Sequence, residues 1–285
     1  MPDHLIVATE ALASGLLTRR DLRRRYTKVH RNVYSRTGVE LTAADRARAA
    51  WLWSGRRATM VSHSAAALLG SKWIPADLPA EVAHSRRGMP KGIAMRSNCI
   101  RTDELCTVDE IMCTTAARTA YDLGRRLELE AAVIRIDALM NATGVTPASV
   151  DAIGTRYPGA RGIRTLGRAL DLVDAGSESP QETRLRLLLV QSGLPRPMTQ
   201  IPVADDRGRV RRRIDMGYPR WMVGVEYDGE QHFDGPDDYA NDIIRLEFLA
   251  NRGWTIVRVS ARQLRYERPT IVARVRRALV LGGMH

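Results

Sequence analysis

Val223-Gly224-Val225-Glu226-Tyr227-Asp228-Gly229 is the stretch on which the fold turns. Val223, Val225 and Tyr227 alternate with Gly224, Glu226 and Asp228, which is the period of two of a β-strand. The valines are expected in a core, Glu226 and Asp228 share the other face, and Asp228-Gly229 ends the strand before Glu230, Gln231 and His232. Upstream, Tyr218-Pro219-Arg220 turns the chain from a strand over residues 210–216, with Asp215 closing it, into a strand from Trp221 to Tyr227. Asp205-Asp206-Arg207-Gly208 is the turn of a hairpin with an earlier strand. A tight turn between antiparallel neighbours brings Asp215 toward Glu226, eleven residues on. Before these strands a helix spans residues 180–192, with Glu182 on a face shared by Leu185 and Leu189. After them come a helix over residues 239–251 ended by Gly253, a β-rich stretch over 255–259, and a closing helix over 269–279. The order predicts an α/β sandwich with a mixed sheet flanked by helices.

Asp174-Ala175-Gly176-Ser177-Glu178-Ser179-Pro180 combines turn formers, an N-cap at Ser179 and a proline suited to a first helical turn. It marks a boundary, with residues 176–285 as one domain. Residues 1–60 read as a winged helix-turn-helix. A short helix over 9–13 precedes a second one capped by Thr18, with Asp21 three residues on as in a capping box. That helix carries Arg19, Arg20, Arg23, Arg24 and Arg25, and Lys28 and Arg31 follow. Val29-His30-Arg31-Asn32-Val33-Tyr34 alternates and reads as a strand. Thr42 opens a helix over 43–53, and Ser62 is read as the cap of another over 65–69. Residues 61–175 read as an α+β linking domain, with strands at 81–84, 93–96 and 106–108 and helices at 115–127, 130–140, 147–157 and 161–173. No chemistry is read there.

A hydrophobic fraction of 44% over 285 residues supports packed cores and excludes a disordered chain. The formal charge is +12, from 44 basic and 32 acidic residues. Residues 1–60 hold +7 of it, twelve Lys or Arg against five Asp or Glu. Arginine dominates, and its planar fork suits phosphate, so a nucleic-acid partner is expected. A basic surface that serves only solubility is the competing account. No run of eighteen apolar residues occurs, so no membrane span is expected. The opening MPDHLIVATEALASG has no basic region before its apolar run, so no secretory signal is read. Cys99, Cys106 and Cys113 lack histidines at zinc-site spacing and are expected as buried free thiols, in keeping with a reducing cytoplasm.

Clustered carboxylates repel one another and resist burial. A hard cation removes that cost: Mg²⁺, or Mn²⁺ in its place, takes carboxylate oxygens, keeps waters and contacts a substrate phosphate. Asp215, Glu226 and Asp228 are the expected ligands. The competing account has these acids balancing Arg211, Arg212 and Arg213 at the surface. Asp242 and Arg245 lie on adjoining positions of one helix face, either as a structural ion pair or with Arg245 against a scissile phosphate and Asp242 orienting it. His232 is either a proton carrier or an ordinary exposed histidine. His63 and His84 are read as structural.

Ser179-Pro180-Gln181-Glu182, Arg213-Ile214-Asp215, Val225 through His232, Asp242-Ile243-Ile244-Arg245 and Gly253-Trp254-Thr255-Ile256-Val257-Arg258 together resemble the DUF559 domain. That domain is similar to the very-short-patch-repair branch of the PD-(D/E)XK nucleases. The resemblance covers about residues 179–279 and implies a restriction-endonuclease-like sheet. By motif, Glu182 is the acid of the first helix, Asp215 the metal-binding aspartate and Glu226 the second acid. The lysine usual two residues after the second acid is here Asp228. A carboxylate cannot supply a lysine's positive charge, so Asp228 is assigned to metal, and His232 or Arg245 to the proton or the positive charge. The preceding 170 or so residues resemble the AbiEi-like region of actinobacterial proteins, an antitoxin-type winged helix followed by a linking domain. Val29 through Tyr34, Ser62-His63-Ser64-Ala65-Ala66-Ala67-Leu68 and Thr114-Thr115-Ala116-Ala117-Arg118-Thr119 carry that likeness.

Two functions follow as expectations. One is a metal-dependent DNA endonuclease whose Arg19, Arg20, Arg23, Arg24, Arg25, Lys28 and Arg31 engage DNA; as a homodimer it would cut both strands. The other is an antitoxin-like DNA-binding regulator whose nuclease fold does not cleave.

Overall fold

The computed structural model describes residues 4–85, 88, 90–96, 99–229 and 236–284, with side chains from 240 onward in the last segment. The fold is mixed α/β, with several β-sheets flanked by helices. It divides into two compact units, Met1–Val173 and Asp174–His285.

The first unit runs β1 (Leu5–Val7), α1 (Ala8–Ala13), α2 (Arg19–Arg25), β2 (Tyr26–His30), β3 (Val33–Arg36), α3 (Ala43–Trp53), β4 (Thr59–Met60), α4 (Ser62–Leu68), β5 (Ala80–Ala83), β6 (Ile93–Met95), β7 (Leu105–Val108) and β8 (Ile111–Thr114). It ends with α5 (Ala116–Arg126), α6 (Leu129–Thr143), α7 (Pro147–Gly154) and α8 (Ile163–Leu170). Strands β1-β3-β2 form an antiparallel sheet, and β6-β5-β4-β8-β7 a mixed one. One hydrophobic cluster joins Leu5 and Val33 to Trp51, Met60, Val82 and Ile111, so residues on either side of position 60 share a core.

Both short helical caps expected at Thr18 and Thr42 are present as capping boxes with Asp21 and Asp45. Three local expectations need correction. The strand read over Val29 to Tyr34 is a hairpin bend, with Arg31-Asn32 as its turn between β2 and β3. Asn32 sits at φ 67°, tolerable for asparagine, and its side-chain amide bonds Thr9 (Oδ1 to the Thr9 amide at 3.1 Å, Nδ2 to Oγ1 at 2.8 Å). Alternation across a two-residue turn mimics continuous alternation along a strand. Ser62 does not cap α4: Val61 holds that position without a side-chain bond, and Ser62 Oγ accepts from Arg126 at 3.2 Å. Of the three thiols only Cys113 is buried; Cys106 is partly covered and Cys99 exposed. β8, absent from the sequence reading, pairs with β7 across Asp109-Glu110, both at positive φ as a two-residue hairpin requires.

The second unit contains α9 (Pro180–Gln191), β9 (Met198–Ala204), β10 (Val210–Tyr218), β11 (Val223–Asp228), α10 (Pro236–Asn251), β12 (Thr255–Ser260), α11 (Ala261–Tyr266) and α12 (Arg268–Leu281). The sheet order is β12-β11-β10-β9. β9, β10 and β11 are antiparallel neighbours, while β11 and β12, joined through α10, are parallel. Leu185 and Leu189 of α9 and Ile271, Val275 and Leu279 of α12 pack with Val223, Val225, Val257 and Val259. A second cluster gathers Ile201, Val203, Ile214 and Trp254 with Leu249 of α10. The apolar alternation of β11 thus feeds one cluster, as its sequence requires. Among the described residues no helix is long and apolar enough to cross a membrane.

In the pairing of β10 with β11, Gly217 faces Gly224. A Cβ at position 217 would run into the Val223 carbonyl, which is backbone and cannot swing away. Gly217→Ala is expected to cost about 1–3 kcal/mol, the scale of overpacking in a filled core, measured by urea unfolding. A loss below a few tenths would show that the sheet opens without strain.

Candidate active site

Ser179 accepts from the Glu182 amide at 3.2 Å, and Pro180 fills the first helical position, so a local signal fixes Glu182 in the first turn of α9. The Glu178 amide donates to Glu182 Oε2 at 2.9 Å. Burial raises the Glu182 carboxyl pKa, against these amide and hydroxyl bonds, and the Glu178 charge adds to the rise.

Asp215 lies inside β10, three residues before its end, because the strand continues to Tyr218 instead of stopping at Met216. Pairing with β11 begins at Met216↔Val225, which leaves Asp215 beside Glu226. Its Oδ2 accepts from the Tyr227 amide at 3.1 Å. On the other side, Ile214 pairs with Ile201 and Met216 with Thr199, so Asp215 stands opposite Gln200. Gln200 adopts φ 50°, a strained backbone for a residue with a side chain, and strain of this kind gathers where a site demands it. Burial pushes the Asp215 carboxyl up to about 7, helped by the charges of Glu182 and Glu226 and opposed by the Tyr227 amide and Arg245. Neither Glu182 nor Asp215 has an ion-pair partner among the described residues.

Glu226 is buried at 4% exposure, and Arg245 grips both its oxygens at 2.8 and 2.5 Å. Burial presses the Arg245 pKa down, but the hydrogen bonds and charge of Glu226 outweigh it. Asp228, one alternation along, bonds Arg258 at 2.7 Å, and Arg258 also holds Asp242 at 2.6 Å. The expected pairing of Asp242 with Arg245 is therefore replaced by one with Arg258. Arg258 carries no motif signal of its own beyond the alternation that sets it against Val257 and Val259, and the parallel register places it beside Glu226. Glu230 to His232 lie outside the described residues, as does any role of His232.

Asp215 thus stands beside Glu226 across the β10–β11 pairing, and it feels the charges of both Glu182 and Glu226. Among the described residues no three His, Cys, Asp or Glu side chains form a group able to hold a metal ion. The carboxylates feel one another's charge, while Glu226 and Asp228 turn their oxygens to arginines. Arg211 pairs with Asp205 instead of these acids, so the surface-balancing account fails for Arg211. Arg19, Arg20, Arg23, Arg24, Arg25, Lys28 and Arg31 are all exposed on α2, β2 and the turn that follows, and α2 buries no residue.

No family model matches the chain, and no solved structure matches it. Two curated relatives do. Uncharacterized protein MT2308 of Mycobacterium tuberculosis (strain CDC 1551 / Oshkosh) is 29% identical over 168 residues, 59% of this chain. Uncharacterized protein Rv2248 of Mycobacterium tuberculosis (strain ATCC 25618 / H37Rv) matches to the same extent. The chain spans 62% of the length of each.

Proposed function

We propose that the second unit is a PD-(D/E)XK-like nuclease domain that hydrolyses DNA phosphodiesters with a divalent cation, and that residues 1–60 form a winged helix-turn-helix for DNA. The observation that carries the reading is Asp215. It is a largely buried carboxyl, raised to about 7, that feels the charge of two further acids and has no ion-pair partner among the described residues. A residue held in that state fits Mg²⁺ or Mn²⁺, with Asp215 as the principal ligand and Glu182 and Glu226 beside it. Such a cation, when bound, polarises the phosphate and lowers the pKa of an attacking water. Arg245 reaches the same acids from α10 and supplies positive charge where phosphate charge builds, a part the absent lysine would otherwise take. Arg258 keeps Asp228 in place at the strand end.

A second reading, a DNA-binding regulator with a silent nuclease fold, is favoured by the two-oxygen clamp of Arg245 on Glu226. Supercoiled plasmid incubated with the protein and Mg²⁺ or Mn²⁺ separates the two. Nicking supports the enzyme, whereas duplex binding with no cleavage across varied substrates supports the regulator.

Both readings make the same demand on α2. Replacing Arg20 and Arg24 by Glu removes two exposed cations and installs two anions. Duplex affinity at about 0.1 M salt is expected to fall at least tenfold, and the slope of log K against log salt to flatten by roughly two units. An unchanged slope would remove α2 from the DNA interface.

A further inference from the structure

A cavity of about 410 Å³ in the first unit lies outside the site above, and it draws together two stretches the proposed function leaves unused, the start of α4 and the end of α5. Arg96, Arg125, Arg126 and Arg161 line it, against two carboxylates, Glu81 and Asp122. Glu81 is buried and accepts from the His63 amide at 3.0 Å and from Arg96 Nε at 2.6 Å, with the His63 ring at 2.9 Å. Burial pushes its carboxyl up, but these bonds win and hold it at about 2. Asp122, fully buried, accepts from Arg125 at 2.9 Å and Arg118 at 3.0 Å, and Arg126 lies 3.4 Å away. Cations therefore outnumber anions around the space. Arg161 stands exposed at the rim and makes no ion pair or hydrogen bond among the described residues. The Arg126 guanidinium pKa is lowered by burial, with Asp122 opposing and Arg125 and Arg96 adding repulsion.

We infer that this cavity binds a small phosphate monoester. Four arginine forks around two carboxylates leave a surplus of two positive charges, which matches a phosphate dianion. The guanidiniums of Arg96, Arg125 and Arg126, already held by Glu81 and Asp122, meet phosphate oxygens with little reordering, and Arg161 adds a free fork at the rim. The volume exceeds one phosphate and falls within the range of small-ligand pockets, and Leu123 and Leu127 offer an apolar wall to the body of a sugar-sized ester.

The test is calorimetric titration of the full chain with ribose 5-phosphate, inorganic phosphate and succinate at constant ionic strength. One-to-one binding of ribose 5-phosphate, tighter than that of inorganic phosphate, is expected. Arg161→Ala and Arg126→Gln should each weaken it about tenfold, the loss of one charge-assisted contact. Asp215→Asn, in the other unit, should leave it unchanged. Thermal unfolding confirms that each variant is folded, and if Arg126→Gln is not, Arg161→Ala carries the comparison. No saturation into the millimolar range, equal binding of succinate, or unaltered affinity in Arg161→Ala would each overturn the assignment. Inorganic phosphate binding as tightly as the ester would overturn the ester part and leave a simple anion site.

Discussion

Asp215→Asn is expected to lower divalent-cation-dependent nicking of supercoiled plasmid by about 100-fold or more while making the apo protein more stable at pH 8. The first effect follows if Asp215 is the main cation ligand, since even partners one step removed from a metal contribute 10- to 100-fold. The second follows from its charge. The folded carboxyl titrates near 7, against an ordinary aspartate at 3.8. Between those values the folded chain keeps a proton that the unfolded chain has released, so stability falls as pH rises through that window. Above it the full cost of a buried, repelled carboxylate is present. Asparagine carries no charge, so the gain at pH 8 is at most on the order of 4 kcal/mol, and the wild-type slope of stability between about pH 4 and 7 flattens. Mg²⁺ should stabilise the wild type at pH 8 and leave the variant unmoved, a readout independent of cleavage. Nicking that survives the substitution would expose a contaminant or a wrong ligand. Wild-type stability indifferent to both pH and Mg²⁺ would remove Asp215 from any cation site.

Arg118→Met is expected to cost the first unit about 3–5 kcal/mol. Arg118 is 2% exposed and binds two carboxylates that have no exposure at all, Glu104 and Asp122. Its guanidinium also lies over the rings of Tyr121 and Tyr157, 5.5 and 5.3 Å from their centres. Asp122 keeps Arg125 and Arg126 after the change, so Glu104 is the group left worse off. It retains the Tyr157 hydroxyl at 2.9 Å and a more distant Arg156 at 3.4 Å. Adding Glu104→Gln to Arg118→Met should therefore return part of the loss, a coupling that a double-mutant cycle in urea measures. A cost below about 1 kcal/mol, or no recovery in the double variant, would show that solvent reaches Glu104 once Arg118 is gone.

Short-range rules make part of the fold legible in the sequence. Thr18 with Asp21, Thr42, and Ser179 followed by Pro180 announce helix starts because capping needs only residues close in sequence; Asp45 completes the box at Thr42. Alternation along Val223 to Tyr227 identified both the strand and its core face. The same rule failed at Val29 to Tyr34, where a turn of two residues preserves the alternation and Asn32 hides a left-handed backbone. It also failed at Ile111 to Thr114, too short for periodicity to register. The linking region gave no chemical signal, although it holds the buried Arg118 network and the arginine-lined cavity. Those charges lie on different elements, and arginine on a helix reads as solvated unless its partners are known.

From sequence alone came most elements of the second unit, the boundary near residue 174 and the neighbourhood of Asp215 and Glu226. Only the tertiary structure decided how those acids are held. Arg245 reaches Glu226 across 19 residues, and Arg258 reaches Asp228 across 30 and Asp242 across 16. Such pairs depend on the parallel register of β11 with β12 and on how α10 lies over the sheet. Periodicity says which face a side chain takes but not which neighbour stands there, because register and packing are settled by the whole core. The sequence thus placed Asp215 near Glu226, and the folded chain left Asp215 without a cation while it gave one to Glu226 and to Asp228.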